Sequence, residues 1–342
     1  MNIGILSRWN ATCGVSMHAE LIGREFLKMG HSLRVFAPYV QSANRWWHHK
    51  LIREDEDFVI RCYEELHPRT LDGGYIDEEK IFSENLDYLI IESYVSLPYF
   101  HVEKLVKKLG NRVTTALVVH EGRREDVRYS SLDIFDAVTV FDERYIREVV
   151  RSPNVRIIPY PCHPVKRGRR KFAEDVLTFF SFGRQPAREY LDYIGALSSL
   201  EYDFIYRVVR SNGLLPFSEP WLHQERKRLT TEEVYAHLHS SDIHLLPKGK
   251  TSYVVVSSTL FQCLGSLTPT VVPDTRHFEA LPEPKPVVVY ETREDLLSKL
   301  KMLIEDSSYR KNIIKAAEDY VERNRSDVVA KKFLTLAEAS QT

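Results

Sequence analysis

Short apolar runs that alternate with helical patterns along the chain are the feature that most restricts its fold. The runs are too short for buried helices and lack a polar face, so we expect strands buried on both sides of a sheet. Helical patterns such as that of 16–28 separate them, and this alternation predicts a mostly parallel, doubly wound α/β sheet. The strands predicted in the first half are 3–6, 33–36, 58–62, 88–91, 113–119, 137–141 and 155–158.

The segment 161–175, PCHPVKRGRRKFAED, interrupts this rhythm with two prolines, a glycine and a basic cluster. We interpret it as an interdomain linker. The alternation then restarts, with strands predicted at 176–182, 204–209, 242–246 and 287–290 and helices at 187–200, 231–239 and from Arg293 onward. The predicted organisation is an N-terminal Rossmann-like domain over 1–162, a linker over 163–175, a C-terminal Rossmann-like domain over 176–322, and a helix over 323–342 that could return to the N-terminal domain.

Composition narrows the classes of function. The chain has 342 residues, enough for two domains, and its 43% hydrophobic and 28% charged content is ordinary for a globular protein. A net charge of -1 gives no reason to expect a nucleic-acid partner. The cysteines at 13, 62, 162 and 263 lack the paired spacing of a zinc or redox site, so we expect reduced thiols in a cytoplasmic protein. No signal-peptide or bilayer-spanning stretch is predicted.

Ligands of doubly wound sheets bind beyond the carboxyl ends of the strands, so polar residues there are the candidates for chemistry. Gly14 follows the first strand, where it lets the backbone pass close to a ligand, and Ser16 could cap the next helix. The alternative is a plain strand-to-helix turn. His120 directly follows the strand 113–119, where it could exchange a proton or bond a substrate hydroxyl. A structural histidine is the alternative.

The second half repeats this arrangement. Gly183 and Arg184 follow the strand 176–182, and Arg188 lies four residues after Arg184. Two guanidiniums at this spacing face the same way and could bind a phosphate. The alternative is that both arginines are solvated. In the stretch 241–279, Ser257, Ser258 and Thr259 offer N-cap hydroxyls to a short helix, which follows an apolar strand and a polar loop. Such a helix start is a candidate anion site. A second short strand and an acidic end are predicted after this helix.

Several phrases of the sequence together resemble one enzyme family, in the order in which that family has them. They include GVSMHAELIGREFLKMGHSLRVFAP, LVVHEG, FDAVTVFDERYIREVV, VRIIPYP, SFGRQPAREYLDYIGAL, EEVYAHLHSSDIHLLP and LGSLTPTVVPD. The family is that of the retaining glycosyltransferases of the GT-B fold, of the group 1 or family four type. The resemblance covers nearly the whole chain, although Arg188 stands where the family usually has a lysine.

The resemblance implies a GT-B architecture, in which two doubly wound Rossmann-like domains face a cleft. It implies a hexosyltransferase that uses a UDP- or GDP-linked sugar, with retention at the anomeric carbon and with no cofactor or essential metal, because arginines take the place of a metal at the diphosphate. By the same resemblance the catalytic residues are His120, by the transferred sugar, with Arg184 and Arg188 at the diphosphate. The donor-binding residues are Gly14, Gly183, Ser257, Ser258, Thr259 and Gln262.

The chain departs from the family at two acidic positions. The family usually has two glutamates eight positions apart, and the corresponding residues here are Val254 and Gln262. A glutamine amide can still bond a ribose hydroxyl, whereas a valine side chain can bond nothing. The loop before this helix is also longer than usual, and its Lys248 and Lys250 could supply a different phosphate or sugar contact.

Three functions are compatible with these residues. The first is a glycosyltransferase with a nucleotide-sugar donor and an unidentified acceptor, which could be a sugar, a lipid or a small molecule. The others are a non-catalytic nucleotide-sugar binding protein and, less favoured, an enzyme like the UDP-N-acetylglucosamine 2-epimerases. Trp46 and Trp47 beside basic residues would suit stacking on the acceptor, which the resemblance assigns to the first domain, or a peripheral contact with the inner membrane surface. The cluster KRGRRK at 166–171 would also suit that membrane contact. A packed loop and a solvated linker are the preferred interpretations of these two segments.

Overall fold

The structure is a computed structural model that describes residues 1–45 and 50–340. Trp46 and Trp47, for which a membrane contact is considered above, lie outside the described residues. The chain divides into two compact units. The first comprises Met1–Pro161, Tyr253–Ser258 and the chain from Ser326 onward, and the second comprises Cys162–Ser252 and Thr259–Arg325.

The regular elements alternate between strands and helices. Across the described ranges the strands are β1 (Asn2–Leu6), β2 (Ser32–Pro38), β3 (Val59–Leu66), β4 (Gly73–Ile76), β5 (Tyr88–Ser93), β6 (Thr114–Val119), β7 (Ala137–Val140), β8 (Val155–Ile157), β9 (Leu177–Gly183), β10 (Phe204–Arg210), β11 (Leu222–Arg226), β12 (Ile243–Leu245), β13 (Thr270–Pro273) and β14 (Val288–Tyr290). The α-helices are α1 (Gly14–Lys28), α2 (Val40–Ala43), α3 (Glu78–Phe82), α4 (Tyr99–Leu109), α5 (Glu143–Glu148), α6 (Leu191–Ser198), α7 (Thr231–His239), α8 (Ser258–Cys263), α9 (Arg293–Glu305), α10 (Ser307–Asn324) and α11 (Ser326–Ser340).

The first unit is built on a sheet whose strands, among the residues described, follow the order β4-β3-β2-β1-β5-β6-β7-β8. Every pair is parallel except β3 with β4. All six residues of β5 are buried, as expected for a central strand covered on both faces. Helix α1 buries Val15, Ala19, Ile22 and Phe26, which recur every three or four residues and form one face of the helix.

The second unit has a parallel sheet with the strand order β11-β10-β9-β12-β13-β14 in the part of the chain that is described. This is the strand order of the dinucleotide-binding Rossmann fold, and the order reverses between β9 and β12. Phe179 and Phe180 are neighbours on β9 but belong to different hydrophobic clusters, because successive side chains of a strand point to opposite faces. Phe179 packs with residues of α6 and α9, and Phe180 packs with residues of α7 and α8.

Two basic residues of the segment 163–175 are anchored to the second unit. Arg170 donates to both carboxylate oxygens of Asp242, at 3.2 Å each, and the backbone N–H groups of Ala173 and Thr178 donate to the same carboxylate. Arg167 forms an ion pair with Glu318. A buried carboxylate that accepts this many hydrogen bonds ties the segment down, so part of the basic cluster has a structural role.

The structure differs from the sequence-based prediction in local details. The strands β4 and β11 were not predicted. The helix predicted over 187–200 is a 3₁₀ turn, Ala187–Tyr190, followed by α6. The prediction that Ser16 caps the first helix is wrong, because α1 begins at Gly14 and Ser16 lies inside it. The Ser16 hydroxyl instead accepts from the backbone N–H of Ala11 and donates to Glu20.

Candidate functional site

The carboxyl ends of β5 and β6 carry the polar groups of the first unit. Glu92 and Ser93 end β5 and are paired in register with Val118 and Val119 of β6. The backbone N–H of His120 donates to Ser93 O at 3.0 Å, which holds the residue after β6 beside the end of β5. Successive side chains leave a strand on opposite faces, so Glu92 and Ser93 serve different networks.

Glu92 is a fully buried carboxylate shared by two histidines. Its Oε1 lies 2.6 Å from His18 Nδ1, and its Oε2 lies 2.6 Å from His120 Nε2. Burial alone would raise the pKa of Glu92, but the charges and hydrogen bonds of His18 and His120 outweigh burial and lower the pKa to about 2. Glu92 is therefore ionised over the physiological range of pH and accepts a hydrogen bond from each ring.

Aromatic rings surround the two histidines. His18 lies 5.6 Å from Phe141, 5.3 Å from Tyr160 and 5.9 Å from Phe333, measured between ring centroids, and His120 lies 5.1 Å from Phe141. His18 is wholly buried, and its Nε2 has no hydrogen-bond partner among the residues described. The side chain of His120 is about 10% exposed. Of the two rings, His120 is the one that a ligand could reach.

Ser93 and Glu121 form the second network. The Ser93 hydroxyl donates to Glu121 Oε1 at 2.5 Å and lies 2.9 Å from the Tyr129 hydroxyl. Glu121 is 4% exposed, and its Oε2 has no partner in the described part of the chain. Burial raises the pKa of Glu121 to about 7, against the opposing effects of the Ser93 hydrogen bond and the His120 charge. A carboxyl group that titrates near neutral pH therefore lies next to His120.

The cluster of His18, Glu92 and His120 is also the group of described side chains whose donor atoms could hold a metal ion, since these atoms lie within 4.8 Å of one another. Two imidazole nitrogens and a carboxylate oxygen are ligands that zinc accepts. The 2.6 Å separations are those of strong hydrogen bonds, in which a proton occupies each gap. The arrangement is therefore complete as a hydrogen-bonded cluster.

The segment Tyr253–Ser258 belongs to the first unit and packs on Gly122 and on helix α5. The backbone N–H of Val254 donates to Gly122 O at 3.1 Å, and Arg144 donates to Val255 O at 3.1 Å. Gly122 approaches this segment so closely that a Cβ there would lie 2.2 Å from Val254 O. Val254 is 1% exposed. The residue at the expected glutamate position therefore serves packing.

Gly14 and the two serines of this segment lie in the same unit. A Cβ at Gly14 would lie 3.0 Å from Ser258 Oγ, and Gly14 O accepts from the Tyr160 hydroxyl at 2.6 Å. Ser257 is 1% exposed, whereas Ser258 is partly exposed and begins α8. Gly14 thus permits a close approach, and in this structure the group that approaches is the Ser258 hydroxyl.

The second unit places basic groups at the point where its strand order reverses. Gly183 ends β9 with a φ of 130°, a conformation that favours glycine, and Arg184 follows it. Lys248 follows β12 after a short apolar turn. The pKa of Lys248 is lowered to about 8, mainly by burial, with the Glu189 carboxylate acting to raise it and the Arg184 guanidinium acting to lower it. The Arg184 and Lys248 cations therefore share one electrostatic environment at the end of β9 and β12.

The other predicted residues of the second unit have different surroundings. Arg188 is exposed on the 3₁₀ turn. The next residue, Glu189, lies against Gly249, because a Cβ at Gly249 would lie 2.4 Å from Glu189 Oε1. Gln262 is 9% exposed, and its side-chain amide donates to Thr231 Oγ1 at 3.2 Å. Thr259, the second residue of α8, is partly exposed.

The predicted site residues thus fall into two groups. Gly14, His120, Ser257 and Ser258 belong to the first unit, and Gly183, Arg184, Arg188, Thr259 and Gln262 belong to the second. Sequence reasoning did not find His18 and Glu92. The one available signal was a carboxylate at the end of a run of buried apolar residues, YLIIES, where a charge requires a partner.

Comparison with known proteins supports the fold. Residues 195–334 match a family model described as glycosyl transferase-like. The chain is similar to the solved structure of trehalose-6-phosphate synthase OtsA, with a TM-score of 0.71 at 10% identity over 99% of both chains. It is similar to an alpha-glucosyltransferase in complex with UDP, with a TM-score of 0.67 at 11% identity over 99% of this chain and 100% of the other.

A third similar structure is the pneumococcal O-GlcNAc transferase GtfA in complex with UDP and GlcNAc. Its TM-score is 0.67 at 11% identity, over 100% of this chain and 99% of the other. These likenesses cover the full chain and show that it has the α/β GT-B fold, with two Rossmann-like units, so the fold prediction is confirmed. At identities this low, the structural likeness shows the architecture alone, and the site residues have to account for any chemistry.

Proposed function

We propose that this protein is a hexosyltransferase that moves a sugar from a nucleoside diphosphate to an acceptor, with retention of anomeric configuration. The observation that carries the proposal is the match of residues 195–334 to a glycosyl transferase-like family model. This match is one of sequence, whereas the similar solved structures share the fold. UDP-linked sugars are the first donors to test, because two of the similar structures are complexes with UDP.

The second unit supplies the groups for the donor diphosphate. Arg184 and Lys248 carry positive charge at the end of β9 and β12, and the exposed Arg188 lies nearby in sequence. Negative charge develops on the diphosphate as the bond to the sugar breaks, and fixed cations stabilise that charge most in the transition state. Gly183 has no side chain to block the approach of a phosphate to the backbone.

The remaining predicted residues keep the roles that the resemblance gives them. Ser257, Ser258 and Thr259 contribute hydroxyl and N–H groups to the phosphates, with Gly14 as the residue of closest backbone approach. His120 bonds a hydroxyl of the transferred sugar, and Gln262 bonds a ribose hydroxyl. Val254 has no part in the chemistry, because its side chain is buried.

We further propose that the reaction needs no cofactor and no essential metal, because side-chain cations take the place of a metal at the diphosphate. The acceptor is a sugar, a lipid or a small molecule. No helix among the described residues is long and apolar enough to cross a membrane. Treatment with EDTA is expected to leave the rate of transfer unchanged, and a rate that falls with EDTA and returns with added Mg²⁺ would contradict the metal-free proposal.

The first experiment compares Arg184→Ala with Arg169→Ala. Both variants remove one guanidinium, but Arg169 is an exposed residue of the segment 163–175 and serves as the matched control. With a panel of UDP- and GDP-sugars and mixed acceptors, release of nucleoside diphosphate by Arg184→Ala should fall at least about tenfold, while the control keeps wild-type turnover. Undiminished turnover in a folded Arg184→Ala protein would remove Arg184 from the mechanism.

One observation favours a second candidate function, a non-catalytic nucleotide-sugar binding protein. The two acidic positions of the family are occupied by Val254, which is buried, and Gln262, which bonds Thr231. Loss of charge-assisted contacts weakens catalysis by about 1.5–3 kcal/mol for each contact. Binding of a UDP- or GDP-sugar in calorimetry, with no turnover across the donor and acceptor panel, would favour this candidate over the transferase.

A further inference from the structure

Glu92 is the one charged residue of β5, and its position requires an explanation. The strand otherwise buries the apolar residues Leu89, Ile90 and Ile91, which are fully covered. A buried carboxylate is costly unless it is paired and hydrogen-bonded, and a hydrophobic residue of similar volume would be at least as stable there. Glu92 is paired on both oxygens, and both partners are histidines.

The chemistry of the carboxylate determines which ring nitrogen carries a proton. An ionised carboxylate has only acceptor atoms, so the nitrogen that faces it must carry a hydrogen. His120 therefore holds a proton on Nε2, and His18 holds one on Nδ1. The second nitrogen of His120, Nδ1, remains for another partner: it accepts a hydrogen bond when the ring is neutral and donates one when the ring is charged.

His18 is distinguished from His120 by its surroundings. It is wholly buried, its Nε2 has no partner among the described residues, and aromatic rings enclose it. A ligand cannot reach this ring. Its contribution is to occupy Glu92 Oε1, which leaves Oε2 as the atom that His120 contacts.

We propose that Glu92 is a positioning residue that, with His18 as its second anchor, fixes the ring plane and tautomer of His120 and so presents His120 Nδ1 to a hydroxyl of the transferred sugar. This inference rests on the proposed function for the role of His120. The Glu92 side chain touches no substrate, and it acts through His120 as the buried carboxylates of catalytic triads act through their histidines.

The first test measures the proton on His120 directly and does not depend on activity. The chain has 13 histidines, and selective ¹³C,¹⁵N labelling with His120→Gln and His18→Phe spectra for assignment resolves the two rings by NMR. In the wild-type protein at neutral pH, His120 is expected to carry its proton on Nε2. A spectrum in which Nε2 is unprotonated and Nδ1 carries the proton would overturn the proposal even if no donor is ever turned over.

The second test uses Glu92→Gln, with His18→Phe as a matched control. A glutamine amide offers one acceptor and one NH₂ donor, so it cannot accept from both rings as the carboxylate does. We expect kcat of Glu92→Gln to fall about 10- to 100-fold, with the KM for the donor changed less. His18→Phe keeps a ring in the same aromatic surroundings and keeps the carboxylate, so its kcat should fall less and His120 should retain its Nε2 proton.

Two results would contradict the inference. The first is a fall in kcat of less than about fivefold in a folded Glu92→Gln protein, since an outer hydrogen-bond partner that positions a catalytic group contributes more than that. The second is loss of the His120 Nε2 proton in His18→Phe, because the Glu92 carboxylate is retained there and by this inference is the group that holds the proton, whereas His18 only anchors the carboxylate. Absence of turnover in the wild-type protein would count against the proposed function. The positioning role would then be tested by the NMR result, which does not depend on turnover.

Discussion

Replacement of Glu121 by glutamine should remove a loss of folding stability that occurs as the pH rises. Glu121 is almost wholly buried, accepts from Ser93 through Oε1, and has no partner for Oε2 among the described residues. Burial opposes its ionisation, as does the nearby charge of Asp126, and together they outweigh the Ser93 hydrogen bond and the charge of His120, which favour ionisation. A glutamine keeps the carbonyl acceptor for the Ser93 hydroxyl and cannot ionise.

The magnitude follows from the change in pKa. The pKa of Glu121 rises from the ordinary value of 4.5 to about 7, so between these values the folded protein binds more protons than the unfolded chain. Stability therefore falls as pH rises from 4.5 to about 7 and is constant above it. A shift of this size corresponds to about 3 kcal/mol at pH 8, and to less than about 1 kcal/mol at pH 5.

Urea titrations of wild type and Glu121→Gln at pH 5 and pH 8 measure this difference. Unfolding of the first unit can be followed through Trp9, which is fully buried there. The variant should exceed wild type by about 3 kcal/mol at pH 8 and by much less at pH 5. Glu125→Gln changes an exposed carboxyl of the same loop and should show no such pH dependence. Equal stability of Glu121→Gln and wild type at pH 8 would refute the reasoning.

Three further stability predictions concern other parts of the chain. Burial lowers the pKa of His244 from 6.5 to about 3, so stability is lost as pH falls between these values, and His244→Phe should exceed wild type by about 3 kcal/mol in urea titrations at pH 4 but not at pH 7. Gly122→Ala places a Cβ 2.2 Å from Val254 O and should cost about 1–3 kcal/mol, and an unchanged melting temperature would contradict that packing. Thr230 is the N-cap of a complete capping box on α7, so Thr230→Ala should cost about 1 kcal/mol, whereas Thr230→Ser should cost little.

The sequence predicted most of the strands, including β8 and β14 at one edge of each sheet, and missed the strand at the opposite edge. Predicted runs such as 3–6 and 88–91 correspond to β1 and β5, because a strand covered on both faces must be apolar throughout. The missed strands β4 and β11 are the outermost strands of their sheets. Their sequences, GGYI and LHQER, are glycine-rich or polar, since an edge strand is partly solvated. Apolar periodicity cannot find such strands.

The candidate site was predictable only where a single residue carried the signal. His120 was found because it directly follows a buried strand, and Arg184 because it follows Gly183 at a strand end. Glu92 pairs with His18, 74 positions before it, and with His120, 28 positions after it, and spacing within one motif cannot show pairs so far apart. The assignment of Val254 to a glutamate position described the departure from the family but could not show that this side chain is buried.

The central claim, transfer of a sugar from a nucleoside diphosphate, is tested most directly by donor turnover. Wild-type protein, Arg184→Ala and the control Arg169→Ala are incubated with radiolabelled UDP- and GDP-sugars and mixed acceptors, and the released nucleoside diphosphate and the labelled sugar are both quantified. We predict equal amounts of nucleoside diphosphate and transferred or released sugar for at least one donor with wild type and control, and at least about tenfold less with Arg184→Ala. Absence of turnover of every donor by the folded wild-type protein would contradict the claim.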